Sequence, residues 1–456
     1  MNINTVFQKI LLLLVIAVPV CAQSAQQGWK AGLAKTIITP KQQMWMGGFA
    51  ARTHPSEGKL HDLWAKAIAL EDASGKKALM ITIDLVGIPK AVSDHVREQI
   101  KAKYGLEKAQ IMLSTSHTHS GPVLENALTD IYPLDEAQTG KISAYTRGLE
   151  VQLIQLAGDA FKKMESVTMY AGNGVTRFQV NRRNNPPATL TKVTDLNGPN
   201  DYAVPVIKFL NSKGKVKAVI FSYACHPVVL DGYQFSGDYA GFAQIELEKA
   251  HPGAQAMFFQ GAGADQNPLP RGSVPLARQY GKELAAAVER VLEEDMKPLE
   301  ARLSMAYSEA ALLLTALPDT ESLSKMVAET KVPYYKRWAE RMLEKQKRGE
   351  NAPADYPYPV QVWNLGGQPL IALGGELVVE YGIKIKQMFG LNAFVMGYAN
   401  DVMGYIPSAT ILKEGGYEGE TSQMVYGMPG PWQTSIEETI LSEVSKVAAE
   451  AGVKAP

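Results

Sequence analysis

Ala78-Leu79-Met80-Ile81-Thr82-Ile83-Asp84-Leu85-Val86 is a largely apolar run of strand length, followed by a helical pattern over residues 91–104 and a second strand over residues 110–115. A run that is apolar at nearly every position marks a strand buried on both faces, as in a parallel pair covered by helices. The three segments predict a βαβ unit. The order returns downstream as strand 216–223, helix 239–250, strand 256–260 and helix 274–292. Residues 371–373, 377–389 and 394–397 repeat the alternation, and 435–449 reads as a closing helix. The expected fold class is therefore α/β, a mixed β-sheet core with flanking helices. No internal repeat is visible.

The one composition shift lies at residues 319–355. Residues 336–345 are charged at helical spacing and read as a solvated helix, which the polar stretch 349–359, with Pro353, Pro357 and Pro359, ends as a loop. A long surface insertion can also act as a lid over a site. No linker divides the chain, so residues 26–456 are expected to form one domain.

The 456 residues are 46% hydrophobic, with 46 Lys plus Arg against 46 Asp plus Glu, which excludes a disordered chain. Zero net charge without a long basic run argues against a nucleic-acid binder. A small-molecule or lipid substrate fits better, and no protein partner is predicted. Residues 1–25 read as a secretory signal peptide: Lys9 is the positive residue, residues 10–20 are the apolar stretch, and Val20-Cys21-Ala22 offers a cleavage site. The stretch is shorter than the ~20 residues of a spanning helix. Pro19-Val20 before Cys21 makes a poor lipobox. The expected location is periplasmic or secreted in a bacterium, with no transmembrane segment and a single thiol, Cys225, in the mature chain.

Only seven His occur, so their placement is informative. His117 and His119 stand in Ser114-Thr115-Ser116-His117-Thr118-His119-Ser120-Gly121-Pro122, just past a predicted strand, where α/β folds place ligands. On extended chain an H-x-H pair puts both imidazoles on one side, which suits one metal ligand and one neighbour acting on substrate; a surface or capping pair is the competing reading. His226, in Tyr223-Ala224-Cys225-His226-Pro227, repeats the placement, though a core His satisfied by a carbonyl would look the same. The Gly-rich turn Gly261-Ala262-Gly263-Ala264-Asp265-Gln266-Asn267-Pro268 could lay N–H groups against an oxyanion or be an ordinary tight turn. Glu376 follows an apolar strand and two glycines, where a buried charge needs a partner such as a metal. Asp84 and Asp238 have similar double readings, Asp238 as a helix cap. Two His, a Glu and one further oxygen donor could make a Zn2+ site of catalytic type; the residues alone point to an exported α/β metallohydrolase.

These motifs resemble the neutral/alkaline non-lysosomal ceramidase family. The elements occur in that family's order from about residue 31 to 449: Ala34-Lys35-Thr36-Ile37-Ile38-Thr39-Pro40 with Met46-Gly47-Gly48-Phe49, Thr118-His119-Ser120-Gly121-Pro122, Asn181-Arg182, Cys225-His226-Pro227, Ser236-Gly237-Asp238, Gly375-Glu376, then Tyr405 and Tyr417-Glu418-Gly419. The resemblance implies zinc ligands at His117, His226, Glu376 and Tyr405, with an open position for water. It implies that His119 steadies the tetrahedral intermediate or handles its proton, and that Tyr417 and Arg182, or its neighbour Arg183, contact the scissile carbonyl and the substrate's polar end. The family's G-D-V-S-P-N, with a functional Ser, is replaced by Gly263-Ala264-Asp265-Gln266-Asn267-Pro268. Neither amide side chain is a nucleophile, so the implied chemistry rests on zinc-activated water, with Gln266, Asn267 or the turn amides positioning substrate. An immunoglobulin-like C-terminal domain like that of the long ceramidases is not expected. The implied activity is zinc-dependent hydrolysis of an amide in a ceramide-like or other N-acyl substrate. A small ester, lactone or non-lipid amide, or binding without turnover, are the alternatives.

Overall fold

The computed structural model of the chain describes residues 28–192 and 195–455. The signal-peptide expectation for residues 1–25 lies outside the described residues. Eight strands make the path of the main sheet: β1 (Trp29–Ile37), β2 (Trp64–Glu71), β3 (Lys77–Ile83), β4 (Ile111–Thr115), β5 (Glu165–Val175), β6 (Ala203–Asn211), β7 (Val216–Tyr223) and β8 (Gln255–Gln260). Their order is β8-β7-β6-β5-β1-β2-β3-β4, and a short ninth strand, Lys297–Pro298, pairs with β5.

The helices that cover this sheet are α1 (Lys90–Tyr104), α2 (Glu136–Phe161), α3 (Asp238–Ala250) and α4 (Val274–Leu292). Both predicted βαβ units are present, β3-α1-β4 at one edge and β7-α3-β8 at the other, each with parallel strands. From Ala78 to Ile83, β3 is buried at every position, as its near-continuous apolar run requires. Between the units the pairing is antiparallel, so the sheet is mixed. Its edge strands β4 and β8 come within 8 Å of each other at Cα, and the chain ends that leave the two βαβ units meet at one mouth.

A second sheet, β9 (Leu303–Leu313), β10 (Asp355–Leu365), β11 (Gln368–Leu373) and β12 (Phe394–Met396), lies in that order. Trp363, Leu370 and Phe394 pack with Met80, Ile220 and Phe259 of the main sheet in one buried cluster. The strands β11 and β12 are parallel and joined through a helix at Val379–Phe389, a third βαβ unit. The closing helix, Ile436–Glu450, packs its buried face against β9 and β10.

Two expectations for residues 319–359 change. The charged segment is not simply solvated: it is the second helix of a pair, Thr320–Glu329 and Pro333–Lys347, that buries Leu323, Trp338, Ala339 and Met342 between the two helices and the chain beside them. Trp338 donates its indole N–H to Met428 O at 2.8 Å, and Arg341 pairs with Asp130. Pro357 and Pro359 lie in β10 rather than in a loop. They fall before Val360, where β11 pairing begins, and the carbonyl of Pro359 accepts from Gly374 on the β11 side. Their missing N–H groups therefore face the side of β10 that has no ladder there. No helix among the described residues is long and apolar enough to cross a membrane.

Candidate active site

Each βαβ unit delivers part of one buried cluster. His117 and His119 follow β4, His226 follows β7, and Glu376 follows β11. His117 Nε2 lies 3.0 Å from His226 Nε2, 3.1 Å from His119 Nε2 and 3.2 Å from Glu376 Oε2, while His226 Nε2 is 3.4 Å from the same Glu376 oxygen. All four residues are buried. The H-x-H segment is not extended. His117 sits at φ 59°, in the left-handed region, and this turn brings both imidazoles onto one centre.

The outer nitrogens fix what the inner ones can do. Nδ1 of His117 contacts Val86 O at 2.5 Å and Nδ1 of His226 contacts Gly263 O at 3.4 Å. A carbonyl can only accept, so each Nδ1 carries a proton, and in a neutral ring Nε2 is then the nitrogen that offers its lone pair. Burial, then the neighbouring His117 and the arginines beyond it, hold His119 and His226 well below the usual imidazole range, so both stay neutral. Two lone pairs 3.0 Å apart, facing a buried carboxylate oxygen with no hydrogen-bond partner, call for a cation between them. Donors of a tetrahedral site with bonds of ~2.0–2.1 Å lie ~3.3 Å apart, which these separations match. The donor set therefore fits a divalent metal of the zinc type.

Glu376 is set by a short parallel bridge in which it pairs with Tyr405. Gly375 precedes it at φ 70°, where a Cβ would lie 2.5 Å from Ile406 Cγ1. The Tyr405 hydroxyl accepts from Arg182 Nη2 at 3.2 Å, and its ring lies parallel to that of His226 at 6.5 Å. Burial and the Glu376 carboxylate push its phenol well above the ordinary range, against Arg182. Behind His119 lies Gly48 at φ 102°, where any Cβ would fall 2.3 Å from Nδ1. Only glycine leaves that ring its space.

The rim comes from a different part of the chain. The strands Gln179–Asn181 and Gln266–Pro268 form a short antiparallel ladder. Arg182, next after it, donates to Glu418 Oε1 at 2.8 Å and lies 3.5 Å from Asn267 Oδ1. Arg183 spends its guanidinium on Glu418 and Glu414. Tyr417 opens a single π-helical turn, is 41% exposed, and stacks edge-on with Tyr405 at 5.3 Å. Alternation along the ladder sends Gln266 to the opposite face from Asn267. Gln266 Nε2 donates to Pro199 O at 3.2 Å, so Asn267, not Gln266, is the amide beside Arg182. The Gly-rich turn has spent the amides of Gly261, Ala264 and Gln266 on carbonyls of the fold.

Asp84 and Asp238 stand apart from the cluster. Asp84 accepts from Trp64 N, and Asp238 from Leu230 N and Tyr239 N. Cys225 is a free, buried thiol, held protonated by burial. Two tyrosines had no signal in the sequence. Tyr426 donates to Glu376 Oε1 at 2.5 Å. Tyr398, at φ 56°, lays its ring 4.3 Å from that of His117; its backbone donates to Gly375 O and accepts from Thr115 N, tying the His117 strand to the Glu376 turn.

A family profile described as neutral/alkaline non-lysosomal ceramidase, N-terminal, matches residues 29–294. The neutral ceramidase of Pseudomonas aeruginosa is 24% identical over 516 aligned residues, which cover 96% of this chain and 74% of that protein. Neutral ceramidase B of Dictyostelium discoideum is 25% identical over 229 residues, 46% of this chain and 31% of its own. Among solved structures, neutral ceramidase from Pseudomonas aeruginosa gives a TM-score of 0.71 at 20% identity, over 94% of this chain and 76% of that one. A ceramidase complexed with C2 gives 0.70 at 18% identity, with the same coverage. At these identities the structural likeness concerns the fold.

Proposed function

The chain belongs to the neutral/alkaline non-lysosomal ceramidase family, and from that premise we propose that it is an exported zinc hydrolase that cleaves an amide bond in a ceramide-like or other N-acyl substrate. The observation that carries this reading is the convergence of the His117 and His226 lone pairs on the unpartnered Glu376 oxygen. His117, His226, Glu376 and Tyr405 would hold the ion, with His119 beside them. When bound, zinc supplies Lewis acidity to a carbonyl and to a water at neutral pH.

The chain's own residues do the rest. His119, kept neutral by burial, is ready to take the proton of the attacking water at Nε2 and return it to the departing amine. Arg182, anchored on Glu418, directs its remaining N–H groups at Tyr405 and Asn267 and orients the polar end of the substrate. Tyr417, exposed at the rim, contacts the scissile carbonyl. Gln266 acts at one remove, through Pro199, by holding the turn that carries Asn267. Residues 1–25 carry the leader pattern that supports export, and residues 26–456 form the catalytic domain.

The test is metal content and turnover on the same samples. Purified protein should hold one zinc per chain and hydrolyse N-acyl amides, and His117→Ala should lose both. Metal-free protein with full activity, or unchanged turnover in the variant, would remove the basis of the proposal.

A further inference from the structure

The helix Pro333–Lys347 holds two separate segments of the chain at once. On one side, Arg337 donates to Asp130 O at 2.8 Å and to Ile131 O at 2.6 Å, and Arg341 Nε meets the two oxygens of the Asp130 carboxylate at 3.0 and 3.1 Å. Asp130 is buried, and its neighbours Leu128, Ile131 and Tyr132 belong to the buried cluster shared with β2, β3 and α2. On the other side, Arg341 Nη2 donates to Gly427 O at 3.3 Å and Trp338 Nε1 to Met428 O at 2.8 Å. Those two carbonyls directly follow Tyr426, whose hydroxyl donates to Glu376 Oε1 at 2.5 Å.

A turn of this kind needs outside support. Tyr426 caps a helix of four residues, Ser422–Val425, far below the ~12–15 residues at which a helix begins to persist unaided. Gly427 stands at φ 75°, and a Cβ there would lie 2.7 Å from Arg341 Nη2, so the guanidinium is seated directly against the turn. Gln423 Nε2 ties the turn to Tyr405 O at 3.0 Å, and Arg341 with Trp338 supplies a second tie, to the hairpin. The Tyr426 ring packs against buried clusters of both sheets. Apolar packing has no direction and leaves the reach of the hydroxyl unset, whereas hydrogen bonds to the two carbonyls have direction.

We propose that Arg341 and Trp338 are positioning residues for Glu376, and that the hairpin they belong to is a fixed strut rather than a lid. The contacts run from Asp130 through Arg341 to the 427–428 turn, and from there through the Tyr426 hydroxyl to Glu376. Arg341 suits the joint because a planar fork of five donors can hold a carboxylate and a carbonyl together. The inference rests on the zinc-hydrolase reading above in taking Glu376 as a ligand.

The test is zinc affinity, measured by competition with a chelator, in a double-mutant cycle of Arg341→Ala and Tyr426→Phe. Arg341→Ala should weaken zinc binding about fivefold, the scale of one ordinary hydrogen bond. Trp338→Phe, which keeps an aromatic ring and drops the indole N–H, should cost about as much, and Arg341→Lys should recover part of the Arg341→Ala loss. In the Tyr426→Phe background Arg341→Ala should cost nothing further, because the contact through which it acts is gone. Unchanged affinity in Arg341→Ala, or the same loss in both backgrounds, overturns the proposal while zinc binding itself stands. If the wild type binds no zinc, the hydrolase reading fails on its own, and the same cycle on the unfolding equilibrium constant of the metal-free protein decides. The cost of Arg341→Ala should then be about fivefold smaller in the Tyr426→Phe background, and equal costs overturn the inference.

Discussion

The floor of the site and its rim are built by opposite means. His117, His226 and Glu376 each follow a strand of a parallel pair, lie fully inside the protein, and are held by backbone carbonyls or ladder bonds. Arg182 and Tyr417 come from the end of a three-residue ladder and a π-turn, and they hold place largely through side chains, Arg182 on Glu418 and over the Tyr417 ring. A floor of this kind has its geometry set by the sheets, so it can position an ion before substrate arrives. The rim can change composition without disturbing that centre, and it is where this chain departs from the G-D-V-S-P-N pattern. Under the proposed function, chemistry belongs to the floor and choice of substrate to the rim.

Breaking the floor should have the largest effect. Glu376→Gln removes the charge that faces both imidazoles, and metal content together with turnover is expected to fall by three orders of magnitude or more, measured by elemental analysis and steady-state rates. A variant that keeps its metal would show that the three histidines suffice and that the floor extends no further than they do.

The support beneath the floor has its own pH signature. Asp401 accepts the Tyr356 hydroxyl at 2.6 Å, and its backbone carbonyl receives Gly375 N at 2.8 Å. Burial raises its carboxyl to about 7. The folded protein therefore binds a proton here that the unfolded chain has released above ~4, so the favourable protonated state is complete at low pH and is lost as pH climbs to about 7. Across that window the group costs of order 2–4 kcal/mol of stability. Asp401→Asn keeps an acceptor for Tyr356 and should flatten the fall in unfolding free energy between about pH 4 and 7. An unaltered slope in denaturant titrations would place the proton elsewhere.

Tyr426 tests how far the floor reaches. Its hydroxyl holds Glu376 Oε1, the oxygen that faces away from the imidazoles. Tyr426→Phe preserves the packed ring and should weaken metal binding by 10–100-fold, the usual effect of losing a partner that orients a ligand. Competition with a chelator measures it. Unchanged affinity would move Tyr426 from the floor to the packing around it.

The same division explains what could be read from the sequence. The floor was legible because His117, His226 and Glu376 each follow an apolar run that ends in a polar or Gly-rich turn, and strand plus turn is a local pattern. His117 and His226 stand within a few residues of their strands. The left-handed turn at His117 was not legible, because it is imposed by contacts to Val86 and to the clasp around Tyr398, distant in sequence. Tyr398 and Tyr426 carried no signal for the same reason. Neither sits in a pattern of its own, and each matters only for the ring or carboxylate it meets. At the fold level, β5, β6 and α2 fell outside the alternation. In α2 the buried stripe is diluted by Gly140, Gly148, Thr139 and Lys141, so length and tertiary packing, rather than a strong period, make it a helix.

The smallest expected effect lies at the rim, and it decides whether the two regions are as separate as they look. Tyr417 is 41% exposed, yet its ring meets Tyr405 at 5.3 Å and Arg182 lies 5.8 Å above it, so together with Arg182, which donates to the Tyr405 hydroxyl, it joins rim and floor. Tyr417→Phe keeps both contacts and removes only the hydroxyl, which under the proposed function donates to substrate. Loss of a single neutral hydrogen bond at an exposed position should cost about 1 kcal/mol, or roughly fivefold in kcat/KM, with metal affinity unchanged. A fall confined to KM would make Tyr417 a binding residue of the rim. A fall in kcat alone would mean that the hydroxyl acts in the transition state, and the boundary between positioning and chemistry would then run through the π-turn rather than beneath it.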